Sequence, residues 1–218
     1  MKQKFTILFD LDGTLVDTAP DLMLAHNHVM KKFGYPTKST EDIRNLVGKG
    51  AGALIGRSIW GQAKKEFSKV LDEKIKDDMV KEFINFYGKN IINKSTLING
   101  VKEFLKWCKE QNISMAVCTN KQERLSNDLL KKIGIYDFFE YVAGSDTFDY
   151  CKPDPRHLTN VVEILDGDIK RTIMIGDSEN DANAAKAAEI PVILLENGYT
   201  EKNTTEIYHN HLIKDFIG

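Results

Sequence analysis

Residues 5–17 read Phe5-Thr6-Ile7-Leu8-Phe9-Asp10-Leu11-Asp12-Gly13-Thr14-Leu15-Val16-Asp17, a short apolar run that ends in two carboxylates one leucine apart. Thr6 to Phe9 are apolar or β-branched without alternation, the pattern of a strand buried on both faces of a parallel sheet. Asp10 therefore falls at the strand's carboxyl end. Open α/β sheets bind ligands along that edge, so an acid there, followed by Asp12, points to chemistry. Gly13 and Thr14 turn the chain away. Two close carboxylates repel each other, and a cation between them or a shared proton relieves the repulsion. Taken alone, the pair is equally well explained as a solvated acidic turn, so the rest of the chain decides.

The 218 residues suit one domain, or a core carrying a smaller insertion. Thirty basic against 32 acidic residues, a net charge of −2, argue against a nucleic-acid binder or a polybasic membrane protein. No apolar stretch is long enough to suggest a membrane span, and the short apolar run before Asp10 lacks the small-residue cleavage site of a secretory signal. A cytoplasmic address is expected. Cys108, Cys118 and Cys151 are odd in number and widely spaced, which supports neither a disulfide framework nor a zinc site. Reduced, idle thiols are expected instead.

Beyond Asp17 the periodicity changes. Leu22, Ala25, Val29 and Phe33 recur at helical spacing, as do Val80, Phe83, Ile84 and Tyr87, so the stretch to Asn93 reads as a small helical unit standing over the acidic turn. His26 and His28 are expected at its surface. The α/β pattern then resumes. Val101, Phe104, Leu105 and Cys108 mark one helix face, and Ile113 to Cys118 a strand that ends in Thr119-Asn120. Leu125 to Ile133 is predicted helical and Phe139 to Ala143 a strand. Lys152-Pro153-Asp154-Pro155 forms a rigid loop, because its prolines continue neither element. A helix over His157 to Leu165 leads to a buried strand, Thr172 to Ile175, which ends in Gly176-Asp177-Ser178. Asp181 to Ala188 reads as helix, Pro191 to Leu195 as strand, and Leu212 to Phe216 as a candidate edge strand. The alternation predicts a doubly wound, Rossmann-like α/β sheet whose strands deliver Asp10 with Asp12, Thr119 with Asn120, and Asp177 to one rim.

These motifs resemble, in kind and order, those of the haloacid dehalogenase superfamily of phosphohydrolases: Asp10-Leu11-Asp12-Gly13-Thr14-Leu15, Thr119-Asn120, Lys152-Pro153 and Gly176-Asp177-Ser178-Glu179-Asn180-Asp181. The resemblance runs from about Phe5 to Pro191. It implies a Rossmann-like core, residues 1–16 and 94–218, with a helical cap over 17–93 inserted after the first strand. Asp17 to Leu22 and Leu46 to Gly50 are most similar to the bacterial phosphoglycolate phosphatases. One departure is Glu189, where the family usually carries glycine after two alanines; a changed helix end is expected there.

The resemblance implies that Asp10 attacks phosphorus and becomes an aspartyl phosphate. Asp12 then protonates the leaving alkoxide, with its carboxyl raised in pKa by negative neighbours. A phosphate monoester is nearly a dianion, so a carboxylate can approach it only if cations screen the charge. Magnesium, with its preference for oxygen ligands, suits Asp10, Asp177 and the backbone carbonyl of Asp12. Lys152 adds fixed positive charge, and Thr119, the Asn120 amide and backbone N–H groups after Asp10 hold the phosphoryl oxygens. Asp181 orients Lys152 or a metal-bound water from behind the ligands, or is only a solvated helix carboxylate. Thr119 and Asn120 also fit a helix cap. In the cap, Gly48, Lys49 and Gly50 offer backbone donors, and Lys49 or Arg57 can pair with a substrate carboxylate; a plain glycine-rich turn explains the same residues.

The expected activity is magnesium-dependent hydrolysis of a small phosphorylated metabolite, led by 2-phosphoglycolate. A nucleotidase, a sugar-phosphate phosphatase or a phosphoglucomutase shares every core residue. Outside enzymes, the alternative is a phosphate- or metal-responsive binding module.

Overall fold

In the computed structural model, which describes residues 4–60 and 69–217, β1 (Thr6–Phe9) lies inside a six-stranded sheet. One neighbour is β4 (Ser114–Cys118), followed by β5 (Tyr141–Ala143); the other is β6 (Thr172–Gly176), followed by β7 (Val192–Leu195) and β8 (His211–Ile213). Every pairing in this sheet is parallel. The chain builds outward from β1 first on one side and then on the other, so Asp10 stands where strand order reverses, the crevice in which doubly wound sheets bind ligands.

Alternate strand residues feed two cores. Ile7, Phe9, Met115 and Val117 pack with Leu105 of α5 (Val101–Glu110) and Leu125 and Leu129 of α6 (Glu123–Ile133). Leu8, Ala116, Cys118 and Met174 pack instead with Leu158 and Val161 of α7 (Arg156–Ile164) and Ala182 and Ala185 of α8 (Glu179–Ala187). Burial on both faces explains the unbroken apolar runs. Among the described residues no helix is long and apolar enough to cross a membrane.

The inserted helical cap comprises α1 (Ala19–Phe33), α2 (Thr40–Arg44), α3 (Gly50–Trp60) and α4 (Lys69–Lys89). Its apolar residues, Leu22, Val29, Leu54 and Phe83 among them, continue the core on the Phe9 face. A two-stranded antiparallel ribbon that the sequence did not suggest, β2 (Val16–Asp17) with β3 (Thr96–Leu97), clasps the departing and returning chain. Asp21 secures the same junction, its buried carboxylate accepting from the backbone of Asn93, Lys94 and Ser95 at 2.8–3.0 Å.

Several expectations need correction. His26 is fully buried rather than exposed, with Nε2 2.8 Å from Ser58 Oγ, because the face of α1 that carries it packs within the cap. Residues 136–138 turn as a short 3-10 helix, which shortens the predicted strand to Tyr141–Ala143. Pro191 to Leu195 is followed by a further strand, His211–Ile213, in place of the longer one proposed to Phe216.

Glu189 adopts φ 57°, in the left-handed region where glycine costs nothing. Glu189→Gly is therefore expected to raise unfolding free energy in urea by about 0.5–1 kcal/mol without altering activity. A loss of stability would mean that the glutamate side chain outweighs its backbone strain.

Candidate active site

Strand register assembles the site. Phe9 lies opposite Val117 and Ile175, so Asp10, Thr119 and Asp177 all emerge at one rim within a residue of the same level. Asp10 N–H donates to Ile175 O and Thr119 N–H to Ala143 O, both at 2.9 Å, extending the sheet pattern into the site.

At the rim Lys152 Nζ donates to Asp10 Oδ1 at 2.8 Å and to Asp181 Oδ1 at 2.5 Å, and all three residues are buried. Asp181 Oδ2 takes the N–H of Asp177 at 3.1 Å and of Ser178 at 3.0 Å, which ties it to the start of α8. Both of its oxygens are thus used inside the chain. Asp10 and Asp177 each keep one oxygen without a hydrogen bond among the described residues. Ligand atoms of Asp10, Asp177 and Asp181 lie within 4.8 Å of one another.

Burial pushes the Asp10 carboxyl up to about 6; Lys152 lowers it and Asp181 raises it. Burial, then Asp10 and Asp181, drive Asp177 well above the ordinary carboxylate range. Burial alone would lower Lys152, yet Asp10 and Asp181 outweigh it and raise the ammonium pKa. Three buried carboxylates around one lysine leave two formal negative charges uncompensated. A hard divalent cation taking the free oxygens of Asp10 and Asp177 restores balance, so the donor set fits such an ion.

Gly13 is required by this crowding. Its φ is 84°, and a Cβ there would stand 2.1 Å from Asp177 Oδ2. Tyr199 N–H donates to that same oxygen at 2.6 Å.

Asp12 sits apart from the cluster. Both its oxygens accept from Lys121 Nζ at 2.7 Å, and Oδ1 also accepts from Thr18 Oγ1 at 2.7 Å. The negative surroundings expected for Asp12 are thus joined by a buried lysine in direct contact. Thr119 is buried, with Oγ1 accepting from Lys121 N–H at 3.2 Å. Asn120 Nδ2 donates to Gly48 O at 3.0 Å and Lys152 O at 2.9 Å, which leaves no amide hydrogen on that side chain for a phosphate. The N-cap of α6 is Gln122, so neither Thr119 nor Asn120 caps that helix. Leu11 and Asp12 N–H have no partner within the chain among the described residues.

Above Asp10 and Asp12 is a cavity of about 280 Å³, bordered on the cap side by Gly48, Lys49 and Gly50 and walled by apolar residues such as Leu22, Phe83 and Ile84. Asn180 Nδ2 also donates to Gly48 O, at 2.9 Å, so one cap carbonyl is held by two core asparagines. Arg57 is elsewhere. Its guanidinium contacts Glu201 and the Leu46 carbonyl and borders a separate, smaller cavity.

Lys121 and Tyr199 are site residues that the sequence reading missed. Lys121 follows the Thr119-Asn120 strand end directly, and that position was the available signal. Tyr199 had none, because its place depends on the loop after β7 folding back onto Asp177 and Asp17.

A doubly wound parallel sheet, with acids at its switch point and a helical cap beside them, defines a Rossmann-like α/β protein with a capped acidic site. The sequence profile of haloacid dehalogenase-like hydrolases matches residues 7–195. The chain belongs to that family and is a phosphatase. It is 38% identical over 210 residues to a phosphoglycolate phosphatase of Mesorhizobium japonicum, covering 96% of this chain and 90% of the relative. It is 39% identical over 212 residues to the Caulobacter vibrioides phosphoglycolate phosphatase, covering 97% and 87%. A crystal structure of a predicted phosphoglycolate phosphatase from Haemophilus somnus superposes with a TM-score of 0.90 at 31% identity, covering 99% of this chain and 96% of that one.

Proposed function

We propose that the protein is a magnesium-dependent phosphatase that hydrolyses 2-phosphoglycolate through an aspartyl phosphate on Asp10. The observation that carries the reading is the buried triad Asp10, Asp177 and Asp181 around Lys152, with free oxygens on Asp10 and Asp177. The names of the relatives, at 38–39% identity over nearly the whole chain, support the substrate. Magnesium, held by Asp10, Asp177 and the Asp12 carbonyl, supplies the positive charge that lets a dianionic ester approach a carboxylate. One carboxylate oxygen of Asp10 attacks phosphorus in line. Lys152 keeps Asp10 fixed, and Asp181 keeps Lys152 fixed. Leu11 and Asp12 N–H, with Thr119, receive the phosphoryl oxygens. Asp12 gives a proton to the departing glycolate oxygen and later takes one from the hydrolytic water. Residues 17–93 act as the cap over the core of residues 1–16 and 94–218, and Gly48, Lys49 and Gly50 close the substrate cavity. The enzyme works in the cytoplasm on a small phosphorylated metabolite, in keeping with its free cysteines, two of them buried.

The test is kcat/KM with magnesium across 2-phosphoglycolate, nucleoside monophosphates, hexose phosphates and an aryl phosphate. The expected result is a preference of about 100-fold or more for 2-phosphoglycolate. A higher value for a nucleotide or sugar phosphate overturns the substrate, and no phosphate release from any ester overturns the enzymatic reading in favour of a binding module. Asp12→Asn is expected to slow alkyl phosphates by about 100-fold or more while sparing an activated aryl ester by comparison. Equal losses on both would remove Asp12 from acid catalysis.

A further inference from the structure

The cavity holds a buried cation whose partner is the acid of the proposed reaction. Lys121 Nζ contacts both Asp12 oxygens at 2.7 Å and lies 4.7 Å from the centroid of the Tyr87 ring. Tyr87 is buried and borders the same cavity, and its hydroxyl has no hydrogen-bond partner among the described residues. Around them the wall is apolar, formed by residues such as Leu22, Leu54, Phe83 and Ile84. Of the two cations expected to meet a substrate carboxylate, Arg57 is engaged with Glu201 and Leu46 outside this cavity, whereas Lys49 borders it on the cap side, away from the Asp12 contact that Lys121 makes. An ammonium over an aromatic ring that carries an unpaired buried hydroxyl, at the wall of this cavity, suits a small anionic group that can take the place of Asp12.

We infer that Lys121, assisted by Tyr87, recognises a carboxylate on the leaving group of the substrate and exchanges Asp12 for it. The inference rests on the phosphatase reading and assigns its specificity. On that reading Asp12 touches the ester oxygen, and in 2-phosphoglycolate a single methylene separates this oxygen from the carboxylate. A cation that already touches Asp12 is therefore placed to reach it. The exchange links recognition to reaction, because an ester without an anionic tail leaves Lys121 on both Asp12 oxygens, whereas a carboxylate draws the ammonium away and frees them for the leaving group. An ester with a neutral tail is thus bound more weakly and meets an acid that is still engaged.

The experiment compares kcat/KM for 2-phosphoglycolate and its neutral carboxamide, 2-phosphoglycolamide, in the wild type, Lys121→Met, Lys121→Arg and Tyr87→Phe with saturating magnesium. The wild type is expected to prefer the carboxylate by about 10- to 100-fold, the range of a hydrogen bond to a charged group. Lys121→Met brings that preference close to one, mainly through a higher KM for the carboxylate ester. Lys121→Arg restores part of it, and Tyr87→Phe lowers it by about threefold. Each readout is a ratio within one variant, so a partly folded sample does not alter it. If Lys121→Met slows both esters together and keeps the wild-type preference, the lysine acts only through Asp12; the inference is then overturned and the phosphatase reading stands. A wild type without carboxylate preference overturns the choice of 2-phosphoglycolate as well.

Discussion

Asp10→Asn is expected to lower kcat by about 10,000-fold or more while leaving the fold intact. The amide has no charge with which to attack phosphorus, yet it matches the carboxylate in shape and still accepts from Lys152. Asp10 is buried beside Asp181 and Asp177, and its pKa is pushed up to about 6 by that burial. Removing its charge relieves repulsion inside the cluster, so in a chelator the variant is expected to melt at or slightly above the wild-type temperature. With magnesium the order reverses, because the variant has lost a ligand and gains less from binding. Phosphate release and thermal melts, each with chelator and with magnesium, check both halves. Turnover within tenfold of wild type would remove Asp10 as nucleophile.

Lys152→Met is expected to be the most damaging single change to stability in the core site. The ammonium is buried between Asp10 at 2.8 Å and Asp181 at 2.5 Å. Without it three buried carboxylates face one another with no cation, and breaking a buried pair from one side costs about 3–5 kcal/mol. Urea unfolding in chelator measures that loss. Added magnesium should recover part of it, since the ion then supplies the only compensating charge. Activity is expected to fall by about 1,000-fold even with magnesium, because the phosphoryl group loses a preorganised cation and Asp10 its anchor. Wild-type stability in chelator would mean that water or a shared proton, rather than Lys152, balances the cluster.

The sequence showed the sheet because burial on both faces writes an unbroken apolar run, and Thr6 to Phe9, Ser114 to Cys118 and Thr172 to Gly176 became β1, β4 and β6. Parallel register then brought Asp10, Thr119 and Asp177 to one rim. Pairwise geometry was hidden. That Asn120 donates its amide to Gly48 and Lys152 depends on how the loop before α3 closes over the core, and no local pattern encodes that contact. Arg57 lay at a plausible helical position, but α3 presents it to Glu201 and the Leu46 carbonyl rather than to the cavity. The burial of His26 is hidden for a related reason, since its partner Ser58 comes from another cap helix. Asp17 and Asp21, part of the stretch most similar to phosphoglycolate phosphatases, hold Arg44, Tyr199 and the returning chain in place. Their contribution here is to anchor the cap.

Stereochemistry at phosphorus tests the central claim most directly. A substrate made chiral at phosphorus with oxygen isotopes and sulfur reports the number of displacements, because each in-line attack inverts the centre. Attack by Asp10 followed by attack of water predicts overall retention in the released thiophosphate. Overall inversion would mean that water displaces the alcohol in one step, and Asp10 would then have no covalent role.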